Sequence, residues 1–191
     1  MFTGYDFMYP VSPSTLTCMY NQGIRAVGRY LTPTSVNAAY FTSAQGYYDY
    51  ETAVSLALAA QQPIGTPVFF AVDTDVVSDA YWQSQGSPST MMHLAEVLDY
   101  FSGINQAYND YLDAYTSGSG SGYYDIGVYG GYCTVSEIQG TYGMASASWQ
   151  TSSWSNGSIY GDNAIYQSEH GVTQCGTNVD VDTVYIFTVY W

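Results

Sequence analysis

Two aspartates close an apolar run. In PVFFAVDTD, Pro67 to Asp75, a stretch fit for the middle of a core ends in carboxylates two residues apart. On an extended strand, positions i and i+2 share one face at roughly 7 Å, so the spacing predicts that Asp73 and Asp75 sit side by side at the strand's end. Repulsion between such neighbours raises one pKa, leaving one carboxyl protonated beside one ionised, the pair that acid/base catalysis requires. Other strand-like runs end in comparable residues: Asp6 after TGY, Arg29 after AVG, Tyr129 and Tyr132 around IGV, Trp149 and Gln150 after ASAS, Gln167 after AIY, and Asp180 with Asp182 in VDVD. Carboxylates that protonate a leaving oxygen and handle water, beside aromatic faces that suit pyranose rings, are what a sugar site needs. Singly, strand-end aspartates also cap helices and turns. Arg29 equally reads as half of a structural buried pair with Asp6 or Asp73. The coincidence of the set points to a site.

Alternating patterns position these residues. Thr3–Tyr9 reads as a strand, and a helix is predicted from Ser12, with Pro13 at its first position, to Gly23. Ile24–Leu31 reads as a second strand. Apolar residues at helical spacing follow from Tyr47 and stop before Pro63, and a long helical region runs from about Thr90 to Tyr115. SGSGSG, Ser117 to Gly122, reads as a surface loop because strand material resumes at once. The last third carries strands at Tyr124–Tyr132, Met144–Trp154, Asn163–Gln167 and Val179–Trp191, with a short helix at TVSEIQG. Strands interrupted by helices imply a parallel sheet with crossovers, and at 191 residues a single-domain α/β fold, a TIM-type (β/α) barrel, is expected over residues 1–191. A doubly wound open sheet is the alternative, which no glycine-rich phosphate loop supports.

Composition narrows the partners. Sixteen acidic residues oppose only Arg25 and Arg29, lysine is absent, and the net charge of −14 argues against nucleic acid or an anionic membrane. Charged residues are only 9% of the chain, so the surface must be Ser, Thr, Asn, Gln, Gly and some of the 22 tyrosines. Cys18, Cys133 and Cys175 lack zinc-site spacing and read as buried thiols, with one disulfide expected only in an oxidising compartment. No metal or cofactor is called for. No run approaches the ~20 apolar residues of a membrane span, and the residues after Met1 read as a strand rather than a signal peptide, so either a leader removed beforehand or another export route is expected. Asn156-Gly-Ser158 is a short glycosylation match of small weight. His93 reads as a helix residue and His170 as a loop residue after Gln167, with a place at the edge of the site as the lesser alternative.

The motifs GYDF, VGRYL, GTPVFFAVDTD, GVYGGY, SWQTSSWS, AIYQ and VDVDTV, taken in order, resemble the secreted glycoside-hydrolase-like domains long described as of unknown function. Those domains are barrel relatives of the Chalaropsis-type lysozymes of glycoside hydrolase family 25. The resemblance implies catalytic roles for Asp6, Asp73, Asp75 and Asp180, a polysaccharide or peptidoglycan-type glycan as partner, and an extracellular or cell-surface location. Arg29, Tyr129, Trp149, Gln150, Gln167 and Asp182 are then the expected substrate-binding residues. Asp75 stands where the lysozymes carry a glutamate as general acid, one methylene shorter. Thr32–Phe41 is too short for the helix and strand that relatives hold there, so an irregular or reduced barrel is expected around residues 32–45. The alternative is an inactive structural subunit, self-associating through its lysine-free, tyrosine-rich exterior.

Overall fold

β3, Pro67–Ala71, is buried at every position, as a strand covered on both faces must be. Its alternation sorts two cores. Val68 and Phe70 join the larger cluster between sheet and helices, while Phe69 and Ala71 join a smaller cluster on the opposite face with Tyr129, Trp149 and Ile165. The computed structural model describes residues 3–6, 18, 21, 28–30, 37–86 and 92–185.

The other strands are β1 (Thr3–Asp6), β2 (Gly28–Tyr30), β4 (Val76–Val77), β5 (Met92–His93), β6 (Asp125–Gly130), β7 (Ala147–Thr151), β8 (Ile165–Gln174) and β9 (Thr177–Val184). With β3, seven of the nine described strands form one sheet in the order β1-β9-β8-β7-β6-β3-β2, and β4 pairs with β5 separately. β2, β3, β6, β7 and β8 are parallel neighbours, whereas β9 runs antiparallel to both β8 and β1. The result is a mixed α/β fold with a mostly parallel central sheet. It departs from the expected all-parallel barrel at β9, and among the described residues no ladder joins β1 to β2. The cause of the reversal is local: Cys175 and Gly176 both have positive φ, 49° and 75°, and they link the paired residues Gln174 and Thr177. That is the two-residue hairpin turn whose twist suits antiparallel strands.

Two helices cover the outer face. α1 (Ser43–Ala59) is capped by the Thr42 side chain, which accepts from the Gln45 amide at 3.2 Å, and it buries Gly46, Asp49, Tyr50, Ala53, Val54 and Ala57 along one stripe. The short α2 (Asp79–Ser84) follows β4. α3 (Leu94–Thr116) answers α1 with Val97, Tyr100, Phe101 and Ile104. The two backbones approach so closely that a Cβ on Gly103 would lie 1.8 Å from the Ser43 carbonyl oxygen, and one on Gly46 2.0 Å from that of Tyr100.

Several expectations resolve directly. Ser117 to Gly122, expected as a surface loop, forms turns and bends with most of its residues exposed, and strand resumes at β6. TVSEIQG falls across α4 (Tyr132–Val135) and a π-helical turn, Ser136–Thr141. In the region expected to be reduced, the described residues hold a single 3₁₀ turn, Ala38–Tyr40, leading straight into α1. His93 is not inside a helix: it ends β5 and caps α3, its Nδ1 3.1 Å from Asp79 and its Nε2 3.5 Å from Glu96. Cys18 and Cys175, 157 residues apart in sequence, form a disulfide, and Cys133 is free. The helix expected from Ser12 to Gly23 lies largely outside the described residues.

Candidate functional site

The inner face of the sheet carries its polar residues in a connected set. Arg29 lies opposite Phe69 in the β2–β3 register, and parallel partners point to one face. Its guanidinium lies 4.6 Å from the centre of the Tyr129 ring and 5.6 Å from that of Trp149, an arrangement in which ring quadrupoles attract the cation. Tyr129 and Trp149 are only 4% and 2% exposed. They form the floor beneath Arg29 and present no free platform for a sugar face. Small residues leave room for these rings: a Cβ on Gly127 would come 2.6 Å from Phe69 Cδ1, and Phe69 meets Trp149 edge to face at 5.8 Å.

Hydrogen bonds continue the set to β9. The Tyr129 hydroxyl donates to Gln167 Oε1 at 2.8 Å, and Gln167 Nε2 donates to Asp180 Oδ2 at 2.9 Å. Trp149 Nε1 donates to the buried Asp182 at 2.8 Å. Asp180 lies half-exposed at the end of this chain and is the Cα partner of Asp6 across β9 and β1. The register therefore brings Asp6 to the same edge of the sheet.

Asp73 closes the set from the other side. Burial pushes its carboxyl above the usual value of 3.8, the nearby Arg29 charge opposes that rise, and the Asp180 charge adds to it. β3 and β9 are four strand spacings apart, ~19 Å if the sheet were flat. Asp73 and Asp180 feel each other because the sheet curls back on itself.

Asp75 does not share this arrangement. β3 ends at Ala71 and the chain bends at Thr74, so the two-residue strand spacing no longer governs the pair. Asp75 is exposed as a residue, and partial desolvation of its carboxyl raises its pKa. Its charge helps, after burial and Glu137, to lift the Cys133 thiol to about 11. The neighbour that repels Asp73 is Asp180, not Asp75.

Gln150 also lies elsewhere. Alternation puts it on the face of β7 opposite Trp149 and Thr151, where its amide nitrogen donates to Ser155 Oγ and the Ser158 carbonyl, at 2.9 and 2.7 Å. Its oxygen accepts from the Tyr160 amide and Asn163 Nδ2. Gln150 is thus the anchor of the 152–163 loop. Tyr132 is exposed at the start of α4, and the His170 side chain lies outside the described residues.

One polar centre escaped the sequence reading. Asp49, fully buried in α1, accepts from Gln45 Nε2 at 2.7 Å, from the Tyr100 hydroxyl at 2.7 Å, from the Tyr30 hydroxyl at 3.2 Å and from the Tyr40 hydroxyl. The signal was present: an aspartate on the buried stripe of a helix, three residues after Gly46 and four before Ala53. Among the described residues, no group of three or more histidine, cysteine or acidic side chains is arranged to hold a metal ion.

Residues 9–186 match the family model of the Rv2525c-like, glycoside hydrolase-like domain. The Mycobacterium tuberculosis Tat-secreted protein Rv2525c, in complex with HEPES, is 18% identical over 95% of this chain and 78% of its own, with a TM-score of 0.64. Its complex with L-tartrate aligns over 87% of this chain and 70% of its own at the same 18% identity, TM-score 0.58. An uncharacterized protein of B. stearothermophilus is 12% identical over the full length of both chains, TM-score 0.56. At such identities these likenesses concern the fold. No curated protein matches the sequence. The chain belongs to the Rv2525c-like, glycoside hydrolase-like domain family.

Proposed function

We propose that this member of the glycoside hydrolase-like family acts on an extracellular glycan, with Asp73 and Asp180 as the working carboxyls. The observation that carries the reading is the environment of Asp73: half-buried, two residues beyond the C-terminal end of parallel strand β3, with its proton affinity raised by burial and by Asp180. In parallel α/β folds that edge of the sheet is where ligands bind. Asp73 delivers the proton to the leaving oxygen, a task favoured by a carboxyl that stays protonated to higher pH. Asp180 is held as an acceptor by the Gln167 amide, itself fixed by the Tyr129 hydroxyl, and faces the positive charge that develops on the sugar. Arg29 sets how far the Asp73 pKa rises. The β1–β9 register brings Asp6 to the same sheet edge as Asp180, Asp75 stands outside the pair, and Asp182 holds the Trp149 floor in place. The curled sheet is read as a relative of the (β/α) barrel with one reversed strand.

Export fits the same reading. A disulfide between Cys18 and Cys175 persists in oxidising compartments, and the fold relative Rv2525c is a Tat-secreted protein. No helix among the described residues is long and apolar enough to cross a membrane.

The test is release of reducing ends from peptidoglycan and from neutral extracellular polysaccharides, with affinity electrophoresis on the same glycans. Asp73→Asn is expected to abolish release while retaining binding. A fully active Asp73→Asn variant would remove Asp73 as the acid, and a wild type that neither cleaves nor binds any of these glycans would remove the glycan reading. A second reading, self-association as a structural subunit, is favoured by the exposed Tyr81, Tyr115, Tyr142 and Tyr185. Size-exclusion chromatography at low and moderate salt tests it, and a monomer throughout would sink it.

A further inference from the structure

Arg29 and Tyr30 are adjacent on β2 and face opposite ways. Arg29 turns to the inner face, while Tyr30 packs on Phe70 in the outer core, ring centres 5.9 Å apart. Tyr30 there lines a second cleft, between β2, the 3₁₀ turn and α1, with a cavity volume of about 470 Å³. Among the described residues its other walls are Tyr40, Tyr48, Asn37, Ala39, Gln45 and Asp49.

Charge and aromaticity converge at this cleft. Asp49 lies at its base, 0% exposed, and all four of its hydrogen bonds come from neutral donors: Gln45, Tyr30, Tyr40 and Tyr100. Buried carboxylates elsewhere in proteins are commonly balanced by a cation, and here none of the partners is one. Each phenol that donates to a carboxylate becomes richer in electrons, which strengthens the attraction of its ring for a cation. Tyr48 adds a third ring at the rim, 61% exposed. Among the described residues the lining holds no arginine, lysine or histidine, and the chain's net charge of −14 favours cations over anions. Because Asp49 is already saturated with donors, a guest is held by rings and field and needs no hydrogen bond from it. That selects a bulky cation without N–H groups.

We propose that this cleft binds a quaternary ammonium group of the trimethylalkyl kind. Three tyrosine rings around a negative base are the general chemistry of such recognition. The site stands apart from the proposed glycan site, lying on the other face of the sheet, and does not depend on that assignment.

The experiment titrates the intact chain with choline and with 3,3-dimethylbutan-1-ol, its uncharged isostere, followed by tyrosine fluorescence and calorimetry. Choline is expected to bind about tenfold or more tightly than the isostere. Tyr48→Ala, at an exposed position, should weaken choline several-fold, Tyr48→Phe should leave it unchanged, and Asp49→Asn should bring choline down to the level of the isostere. Co-sedimentation with phosphatidylcholine vesicles separates the sources of the group: pelleting assigns a lipid headgroup, and choline binding without pelleting assigns a free or polymer-borne one. The proposal falls if choline does not bind, if the isostere matches it, or if Tyr48→Ala binds like the wild type even where Asp49→Asn fails to fold.

Discussion

The two faces of the sheet handle buried polarity in opposite ways. On the outer face, Asp49 receives four neutral donors and sits inside a large apolar cluster. Its charge is dissolved in phenols and an amide. On the inner face the charged groups answer one another: Arg29 lies over Tyr129 and Trp149 near Asp73, and Asp180 and Asp182 hang from Gln167 and Trp149. A saturated carboxylate stabilises the helix layer, whereas Asp73, half-buried near a single guanidinium and repelled by Asp180, keeps a raised proton affinity. The first arrangement serves packing, the second leaves capacity for chemistry.

Four measurements break or sharpen this contrast. The largest effect belongs to the outer layer. Gly103→Ala forces a Cβ against the Ser43 carbonyl oxygen and should cost about 3 kcal/mol, read from the urea midpoint. Asp49→Asn comes next. Its amide nitrogen turns a donor toward hydroxyls that were donating, leaving buried phenols unpaired, and a loss of about 2 kcal/mol is expected. An unchanged midpoint would mean that Asp49 is not the anchor of the outer layer.

Alkali gives a smaller, graded effect. Burial first, then the Asp49 charge, raises Tyr30 to about 12, and burial likewise raises Tyr50 and Tyr100. A phenol whose folded pKa is raised holds its proton longer in the folded state than in the unfolded one. Its contribution is therefore intact below about 10 and is lost as pH climbs through the folded value. Stability should decline between pH 10 and about 12, with phenolate absorbance at 295 nm appearing in step with unfolding.

The smallest effect has the opposite sign and belongs to the inner face. The Asp73 carboxyl is raised above 3.8 in the folded state, so this group favours folding below its ordinary pKa and disfavours it once pH passes the folded value. Asp73→Asn should raise the melting temperature by a few degrees at most near neutral pH and leave it unchanged in strong acid. A lower melting temperature at pH 7 would show that the Arg29 contact outweighs the burial of the carboxyl.

Legibility in the sequence followed the range of the interaction. The run PVFFA showed a two-faced strand, and the α3 and α1 stripes showed where helices would bury themselves, because strand and helix periods are written residue by residue. The placement of Arg29, Tyr129, Trp149, Gln167, Asp180 and Asp182 on one face of the sheet, with Asp73 just beyond the end of β3, was legible from their strand positions, while their roles remain proposals. Gln150 was misplaced because a one-residue step reverses the face of a strand, and only the loop from Ser152 to Asn163 shows which face it serves. The Asp73 and Asp75 pairing failed for a similar reason, since the strand ends two residues before Asp73.

Alternation, helix spacing and the two-residue turn at Cys175 and Gly176 are local properties, and the sequence by itself determined them. Tertiary structure alone decided the pairing of β9 with β1, the joining of Cys18 to Cys175, and the meeting of Asp73 with Asp180 and of Asp49 with Tyr100. Each depends on the curl and register of strands and helices far apart in the chain. No local period encodes those distances: they emerge only when two apolar layers close on opposite faces of one sheet and carry their polar residues together.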